Sequence, residues 1–232
     1  KDMHVLGLTG EHLFLGITNT YFIAILCACF IFFTFFFGLK NKKLIPSKTQ
    51  NFFEWIIESI FNFVDNITGN RERTKEIFPI CATIFIYVLC SNLIELIPGV
   101  GVFPFLRSPS SDLMFTFSVA IFSMIYIHGK AISKIGISTY LKKYFSKNPL
   151  YSFIGALEGI GELARVFSLG LRLFGNLFAG EILLMVVSSL IAFIVPLPFL
   201  ALEVIVGLIQ ALIFSSLIAI FYVVTVQVEE HG

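Results

Sequence analysis

The chain has 232 residues, 57% of them hydrophobic and 13% charged, and its formal net charge is +1 at pH 7. A soluble domain carries about 25% charged residues, so this composition excludes an ordinary soluble domain, and the near-neutral charge gives no sign of nucleic-acid binding. Since backbone polar groups must be paired inside a bilayer, and the apolar runs lack the alternation of strands, we predict an all-α polytopic membrane protein.

The first predicted membrane span covers residues 18–38, about 30 Å of helix and therefore enough to cross the hydrocarbon core. Four lysines follow this span: Lys40, Lys42, Lys43 and Lys48. Basic clusters next to a span mark its cytoplasmic side, so we expect the N-terminus to lie outside the cell and the lysines inside.

Residues 48–68 have the pattern of a helix that lies at the membrane surface. Apolar residues such as Trp55 alternate at helical spacing with polar residues that share one face: Glu54, Glu58, Asn62 and Asp65. Tryptophan is common at the level of the lipid headgroups. We therefore predict an interfacial amphipathic helix here rather than a span.

Two further spans are predicted at 76–97 and 111–128. Glu95 lies near the outer end of the first, where it either anchors that end in the interface or lines an aqueous inlet. The candidate N-cap residues of the second are Ser110, Ser111 and Asp112. The basic residues after this span make 129–147 a cytoplasmic linker along the membrane surface, which completes an N-terminal region of residues 1–147.

The C-terminal region, residues 148–232, is predicted to be a long helical hairpin. Residues 150–188 contain no convincing helix stop, and they form about 58 Å of helix, close to twice the hydrocarbon thickness. Pro196 and Pro198 make a turn, and a second long helix covers 199–228. Helices of this length must tilt steeply, kink or lie partly in the membrane plane. Counting the pair as two crossings gives five and puts the C-terminus in the cytoplasm.

Polar residues within the first helix of the hairpin form a stripe. At about 100° per residue, these residues lie on one face or close beside it: Glu158, Glu162, Arg165, Arg172 and Asn176. Glu181 falls on the opposite side of the same helix. An ionisable side chain costs about 2.5–3.5 kcal/mol at the bilayer centre on insertion scales, so several in one span predict an ion path.

The second helix of the hairpin carries Glu203 and Gln210, seven residues apart on one face. If the two helices are antiparallel, Gln210 comes level with Arg172, and Glu203 comes level with Glu181. A guanidinium stays protonated in proteins, whereas a buried carboxyl group can exchange protons. This chemistry makes Arg172 a fixed barrier and the two glutamates way stations for protons.

A second reading of Arg172 is purely structural. Glu158 and Glu162 lie on or near the same face of the helix. In this reading Arg172 pairs with one of these carboxylates and only holds the helices together.

No pattern in the sequence predicts a metal, a cofactor or a nucleotide site. The cysteines fall within predicted spans and lack the C-x-x-C spacing of metal sites, so we interpret them as small buried apolar residues: Cys27, Cys29, Cys81 and Cys90. Gly129-Lys130 lacks the upstream glycine and the following Ser or Thr of a phosphate-binding loop, so no ATP site is predicted.

A specific signature lies in the first helix of the hairpin: Ser168-Leu169-Gly170-Leu171-Arg172-Leu173-Phe174-Gly175-Asn176, followed by Ala179-Gly180-Glu181. This run resembles the signature of subunit a of the F-type ATP synthase. The segment from Asn92 to Pro98, Gln210 in the last helix, and the layout of the helices resemble the same family. The resemblance therefore covers essentially the whole chain.

The resemblance implies a non-catalytic stator subunit with two offset proton half-channels beside a rotating ring of c subunits. Arg172 matches the arginine that separates the half-channels. The other matched positions are Asn176 and Gln210 near this arginine, Glu181, Glu203 and Glu95 in the outer half-channel, and Glu158 in the exit half-channel. Glu162 joins the exit through its place on the helical face.

The resemblance also implies partners and a location. The partners are the c-ring subunits, the peripheral-stalk b subunits and the other ATP synthase subunits, and the location is a bacterial plasma membrane or, alternatively, the mitochondrial inner membrane. Two alternative functions are the same subunit in a sodium-driven synthase and a self-contained ion-coupled secondary transporter. The transporter would usually carry an internal repeat, which this sequence does not show.

Overall fold

The structure, a computed structural model, describes residues 12–14, 17–39, 47–94, 96, 109, 112–137, 140, 149–190 and 196–230. Six long helices account for most of these residues: α1 Asn19–Leu39, α2 Lys48–Thr68, α3 Arg71–Ile94, α4 Leu113–Ile135, α5 Pro149–Leu190 and α6 Pro196–Glu230. A short antiparallel pair of strands, β1 His12–Phe14 and β2 Ile17–Thr18, precedes α1. The predicted all-α class is confirmed, and the strand pair is a small local addition.

Four of the helices contain stretches long and apolar enough to cross a membrane: Tyr21–Gly38, Arg71–Ile94, Leu113–Lys134 and Leu197–Val226. The chain is therefore a multi-pass membrane protein. The steep tilt of α5 and α6, and the division into regions 1–147 and 148–232, stay predictions.

The ends of α2 explain why its predicted bounds match the observed ones. Ser47 precedes the helix in an extended conformation, and its side chain accepts a hydrogen bond from the backbone N–H of Gln50. Gly69 ends the helix with a φ of 64°, a left-handed conformation that favours glycine, and its N–H donates to the carbonyl of Asp65. Phe52 and Trp55 are exposed, as expected for a surface that meets lipid.

Two spans extend further than predicted. α3 begins at Arg71 rather than at residue 76, and α4 ends at Ile135 rather than at residue 128. The added turns contain charged residues. A prediction from apolar content alone therefore ended these spans too close to the membrane centre. Asp112 caps α4 as predicted, because its carboxylate accepts from the N–H of Met114 at 2.9 Å.

α6 is the packing centre of the bundle. It packs against α3 and α4, while α5 lies along α4 and α6, and α1 packs against α3. The buried residues of α6 include Phe214, Ile218 and Tyr222, and Ser215 donates a hydrogen bond to the carbonyl of Cys81 at 3.1 Å. α5 therefore occupies one edge of the bundle, with α1 at another.

The cysteines differ in their surroundings. Cys27 and Cys81 are buried as predicted, but Cys29 is exposed and Cys90 is half-buried. The prediction of burial is wrong for Cys29 because it lies on the outward face of α1, which is packed on few sides. All four are free thiols.

The turn between α2 and α3 is fixed by Thr74, which is fully buried. Its hydroxyl lies 2.7 Å from a carboxylate oxygen of Asp65 and 2.9 Å from the carbonyl of Asn70, and it also contacts the hydroxyl of Thr68. These contacts join the surface helix to the first turns of α3.

Replacing Thr74 with valine keeps the shape of the side chain and removes its hydroxyl. We expect the free energy of unfolding to fall by about 1–3 kcal/mol, because buried partners of the hydroxyl lose a hydrogen bond. Chemical denaturation of the purified protein in detergent measures this change.

Thr83→Val is the matched control. Thr83 is an exposed residue of the same helix, and its hydroxyl donates to the carbonyl of Pro79 within that helix. Its replacement should change the stability by less than about 0.5 kcal/mol. Equal effects of the two substitutions would contradict the role given to Thr74.

Candidate functional site

The contacts between α5 and α6 establish an antiparallel register. Asn176 donates from Nδ2 to Oε1 of Gln210 at 3.3 Å, and the guanidinium carbon of Arg165 lies 4.8 Å from the ring centre of Phe221. Gln210 is therefore level with Asn176, one helical turn from its predicted position beside Arg172.

Glu203 is buried against α5 at Gly180, next to Glu181 in the chain. A Cβ atom added to Gly180 would lie 2.6 Å from Oε1 of Glu203, so the absence of a side chain at this position makes room for the carboxyl group. The prediction that Glu203 lies level with Glu181 therefore holds to within one residue at this end of the hairpin. The side chain of Glu181 itself lies outside the described residues.

A small cavity of about 50 Å³ adjoins Glu203. Its lining comes from both helices of the hairpin: Asn176, Gly180, Leu183, Phe199, Leu202, Glu203 and Val206. A cavity of this size holds at least one water molecule when polar groups line it. A buried carboxyl group beside such a space can take up and release a proton.

α3 adds a polar group to the same part of the bundle. Asn92 is 2% exposed and donates from Nδ2 to the carbonyl of Gly207, which lies between Glu203 and Gln210 on α6. Within the described chain, Oδ1 of Asn92 and Nε2 of Gln210 have no hydrogen-bond partner. We call Asn92, Glu203, Gln210 and Asn176 the inner polar row. Its open donor and acceptor favour ordered water along the row.

Arg172 lies on the outer side of α5 and is exposed. Its Nη2 donates to the hydroxyl of Ser168 at a long distance of 3.4 Å. Glu162 lies ten residues before Arg172, about 15 Å along the helix, and its Oε2 is 3.7 Å from Nε2 of His128 on α4. The structural reading of Arg172 is therefore wrong for Glu162, and for Glu158, whose side chain lies outside the described residues, it stays a prediction.

Arg172 is at the centre of a continuous exposed face of α5. The members of this face, which we call the Arg172 face, recur every three to four residues: Ile160, Leu163, Ala164, Phe167, Ser168, Leu171, Arg172, Gly175, Asn176, Ala179, Ile182 and Leu183. The face is about 35 Å long and, around Arg172, flanked by small residues. A Cβ atom added at Gly175 would meet no atom within 4 Å.

Asn176 belongs to both features. It is exposed on the Arg172 face, and its side chain also bonds to Gln210 in the inner polar row. It therefore joins the surface that carries the fixed cation to the buried row that carries Glu203. The arrangement can bring a proton from the interior of the bundle to the edge of α5.

Some predicted site residues cannot be placed in this geometry. Glu95 lies outside the described residues, and so do the side chains of Glu158 and Glu181. Asn92 and His128 were not predicted as site residues, because their partners Gly207 and Glu162 lie on other helices. Among the residues that the structure describes, no group of three His, Cys, Asp or Glu side chains is arranged to hold a metal ion.

Comparisons with known proteins agree on one family. The family model described as ATP synthase A chain matches residues 20–223. The chain is 34% identical over 203 residues to the ATP synthase subunit a of Moorella thermoacetica, with 87% of this chain and 85% of the relative covered. The match to the ATP synthase subunit a of Geobacter sulfurreducens is 40% over 186 residues and covers 78% and 76%. That of Campylobacter fetus subsp. fetus is 32% identical over 215 residues, with 92% of each chain covered.

A substitution at Gly207 tests how closely α3 approaches α6. A Cβ atom added there would lie 3.1 Å from Cβ of Asn92, a position that the Asn92 side chain cannot leave without moving α3. We expect Gly207→Ala to destabilise the protein, because overpacking costs about 1–3 kcal/mol and exceeds the ~0.5–1 kcal/mol that alanine gains in a helix. Denaturation of the purified protein in detergent measures the sign of the change.

Gly161→Ala is the control for Gly207→Ala. A Cβ atom added at Gly161 would meet nothing within 4 Å, so this substitution should stabilise α5 by about 0.5–1 kcal/mol. Stabilisation of both variants would show that the contact between Asn92 and Gly207 is not tight.

Proposed function

Since this chain belongs to the ATP synthase A chain family and is a proton-translocating stator subunit of an ATP synthase, we propose that Arg172 is the fixed cation that separates its two half-channels. The single observation that carries this proposal is the position of Arg172 on an exposed face of α5, with the hydroxyl of Ser168 as its hydrogen-bond partner. A permanent charge in this position repels a free proton and attracts a carboxylate that approaches from outside.

The partner that approaches the Arg172 face is a ring of c subunits. Small residues beside Arg172 allow another helix to come close, as is usual for helix contacts in lipid. The face also exposes large apolar residues. These side chains suit a surface past which an apolar ring rotates within the membrane. A protonated carboxyl group of the ring loses its proton near Arg172, because the guanidinium stabilises the ionised form.

The inner polar row forms the core of the inlet half-channel. Glu203 receives the proton, and Asn176 and Gln210 line the last step towards the ring. Glu181 follows Gly180, against which Glu203 packs, and Glu95 is assigned to the outer mouth by its resemblance to the family pattern. The buried position of Glu203 and the cavity beside it support this assignment.

The exit half-channel runs along α5 towards its N-terminal end. Glu162 lies ten residues before Arg172, about 15 Å along the helix, and Glu158 lies one turn further. Protons that leave the ring pass these acids to reach the cytoplasm. The half-buried position of Glu162, neither in the core nor fully exposed, supports a role at a channel wall.

The mechanism follows from the two half-channels and the barrier between them. A proton that enters through the inlet neutralises one ring carboxylate, and the neutral group can then move into lipid. One elementary charge that crosses 100 mV is worth about 2.3 kcal/mol, so several protons must cross for each ATP, and the ring accumulates them. The chain makes no bond to ATP and supplies a fixed surface for rotation.

The other proposed partners are the peripheral-stalk b subunits and the remaining ATP synthase subunits. An apolar groove of about 680 Å³ opens between α1, α2 and α3, with Phe32, Phe36 and Pro79 among its lining residues. It lies on α1 rather than on α5, so a membrane helix of a b subunit in this groove would not compete with the ring.

We place the protein in a bacterial plasma membrane, with the N-terminus outside and the C-terminus in the cytoplasm. The bacterial relatives named above support this location, and the lysines after the first and third spans support this orientation. The family match makes a self-contained secondary transporter and a sodium-driven synthase the less favoured alternatives.

Arg172→Ala in the assembled enzyme tests the proposal. We expect ATP-driven proton pumping into membrane vesicles to be lost, because no other cation of the Arg172 face can replace the guanidinium. Passive proton leak through the same vesicles should stay equal or rise. Pumping near the parent level, with the ring still assembled, would show that Arg172 is a packing residue.

Arg165→Ala is the matched control on the same helix. Its guanidinium lies over the ring of Phe221, and a contact of this kind contributes about 0.5–2 kcal/mol to packing. We expect Arg165→Ala to lower the stability of the subunit and to leave most of the pumping intact.

A further inference from the structure

His128 on α4 contacts ionisable groups from two other parts of the chain. Nε2 of His128 lies 3.7 Å from Oε2 of Glu162 on α5, and Nδ1 lies 2.6 Å from the hydroxyl of Tyr140. The side chains of His128 and Glu162 are 23% and 13% exposed, so both border the solvent without being fully hydrated. The phenol of Tyr140 is within hydrogen-bond distance of the imidazole, and the carboxyl group of Glu162 lies about 1 Å beyond that distance.

The chain turn after α4 builds this arrangement. Gly136 ends the helix with a φ of 87°, which favours glycine, and its N–H donates to the carbonyl of Ile132. The N–H of Tyr140 donates in turn to the carbonyl of Gly136. The turn places the ring of Tyr140 edge-on to that of His128, with ring centres 5.9 Å apart, and Tyr140 is buried there.

The neighbouring lysines of α4 contact other groups. Lys130 lies over the ring of Tyr126, and Lys134 pairs with Glu76 of α3 at 3.2 Å. From α5 the group that faces His128 is Glu162, and from the segment after α4 it is Tyr140. Glu158 lies one turn before Glu162, with its side chain outside the described residues.

We propose that His128 and Glu162 form a proton-exchanging pair at the cytoplasmic mouth of the exit half-channel, with Tyr140 as the residue that positions His128. This inference rests on the proposed function, because it extends the exit path from Glu162 to a residue on a different helix. Histidine is the side chain whose ordinary ionisation falls between about pH 5 and 8, which suits exchange with the cytoplasm.

The exchange is a single proton transfer. Protonated Glu162 gives its proton to Nε2 of neutral His128 after a small rotation that closes the 3.7 Å gap, which leaves a carboxylate and an imidazolium. The imidazolium then releases one proton to water and returns to the neutral form. During pumping driven by ATP hydrolysis the same steps run in reverse, and His128 collects protons from the cytoplasm.

His128→Gln removes the titrating ring and keeps a side chain that can form hydrogen bonds. Pumping is measured over a series of pH values in inverted vesicles with the assembled enzyme. We expect ATP-driven pumping per assembled complex to fall by about tenfold at the alkaline end of this pH series. This loss is smaller than the factor of about 100 or more that a positioned acid–base group typically contributes, because other groups at the mouth can substitute in part. The loss should be smaller at acidic pH, where protons are plentiful, and added imidazole should restore the rate.

Two further variants separate proton exchange from packing. Lys134→Gln breaks the other ion pair of α4, so it controls for loss of an interhelical contact, and it should leave the pH profile unchanged with no response to imidazole. Tyr140→Phe keeps the ring contact and removes the hydroxyl, so it should give a partial loss that imidazole also relieves.

The inference is overturned if His128→Gln pumps like the parent at every pH, or if it loses activity equally at all pH values without rescue by imidazole. Failure of the proposed function gives a different result, since Arg172→Ala would then pump normally. Loss of pumping in Arg172→Ala together with a normal His128→Gln would overturn only the assignment of His128.

Discussion

The placement of one permanent positive charge is the constraint on which this structure depends. A guanidinium stays ionised, so inside a membrane it must meet a carboxylate, water or a partner protein. Arg172 lies on the outer face of α5, where Ser168 is its hydrogen-bond partner. Two nearby charges in the described part of the chain have other contacts, since Glu162 contacts His128 and Arg165 lies over Phe221. The bundle therefore directs this charge towards another molecule.

The interior of the bundle contains polar groups that connect to the Arg172 face. α6 lies at the packing centre and carries Glu203 and Gln210 on its buried side, and close approaches at Gly180 and Gly207 bring α5 and α3 against these residues. Asn176 connects the two environments, because it is exposed beside Arg172 and bonds to Gln210. A buried carboxyl group and an exposed guanidinium thus lie within a few helical turns of each other. This separation is what two offset half-channels require.

Much of this fold follows from the sequence, but the contacts between helices do not. The surface helix was predicted with both ends correct because Ser47 and Gly69 provide local signals. The signature around Arg172 and the spacing of Glu203 and Gln210 indicated the site and the antiparallel hairpin. The register of the hairpin was off by one turn at Gln210, since it depends on side-chain contacts between α5 and α6 such as that of Asn176 with Gln210. The contacts of Asn92 with Gly207 and of His128 with Glu162 depend on tertiary packing, for which a single sequence contains no local signal.

The most direct test of the account is disulfide cross-linking between the Arg172 face and the ring in the assembled enzyme. The native cysteines are first replaced with alanine, and single cysteines are placed at Gly175 and Ala179, each paired with a cysteine beside the ring carboxylate. Ile125, an exposed residue of α4, is the control position. We expect Gly175→Cys and Ala179→Cys to form cross-links to the ring, and we expect none from Ile125→Cys. Cross-links from Ile125→Cys alone, in a fully assembled complex, would contradict the account.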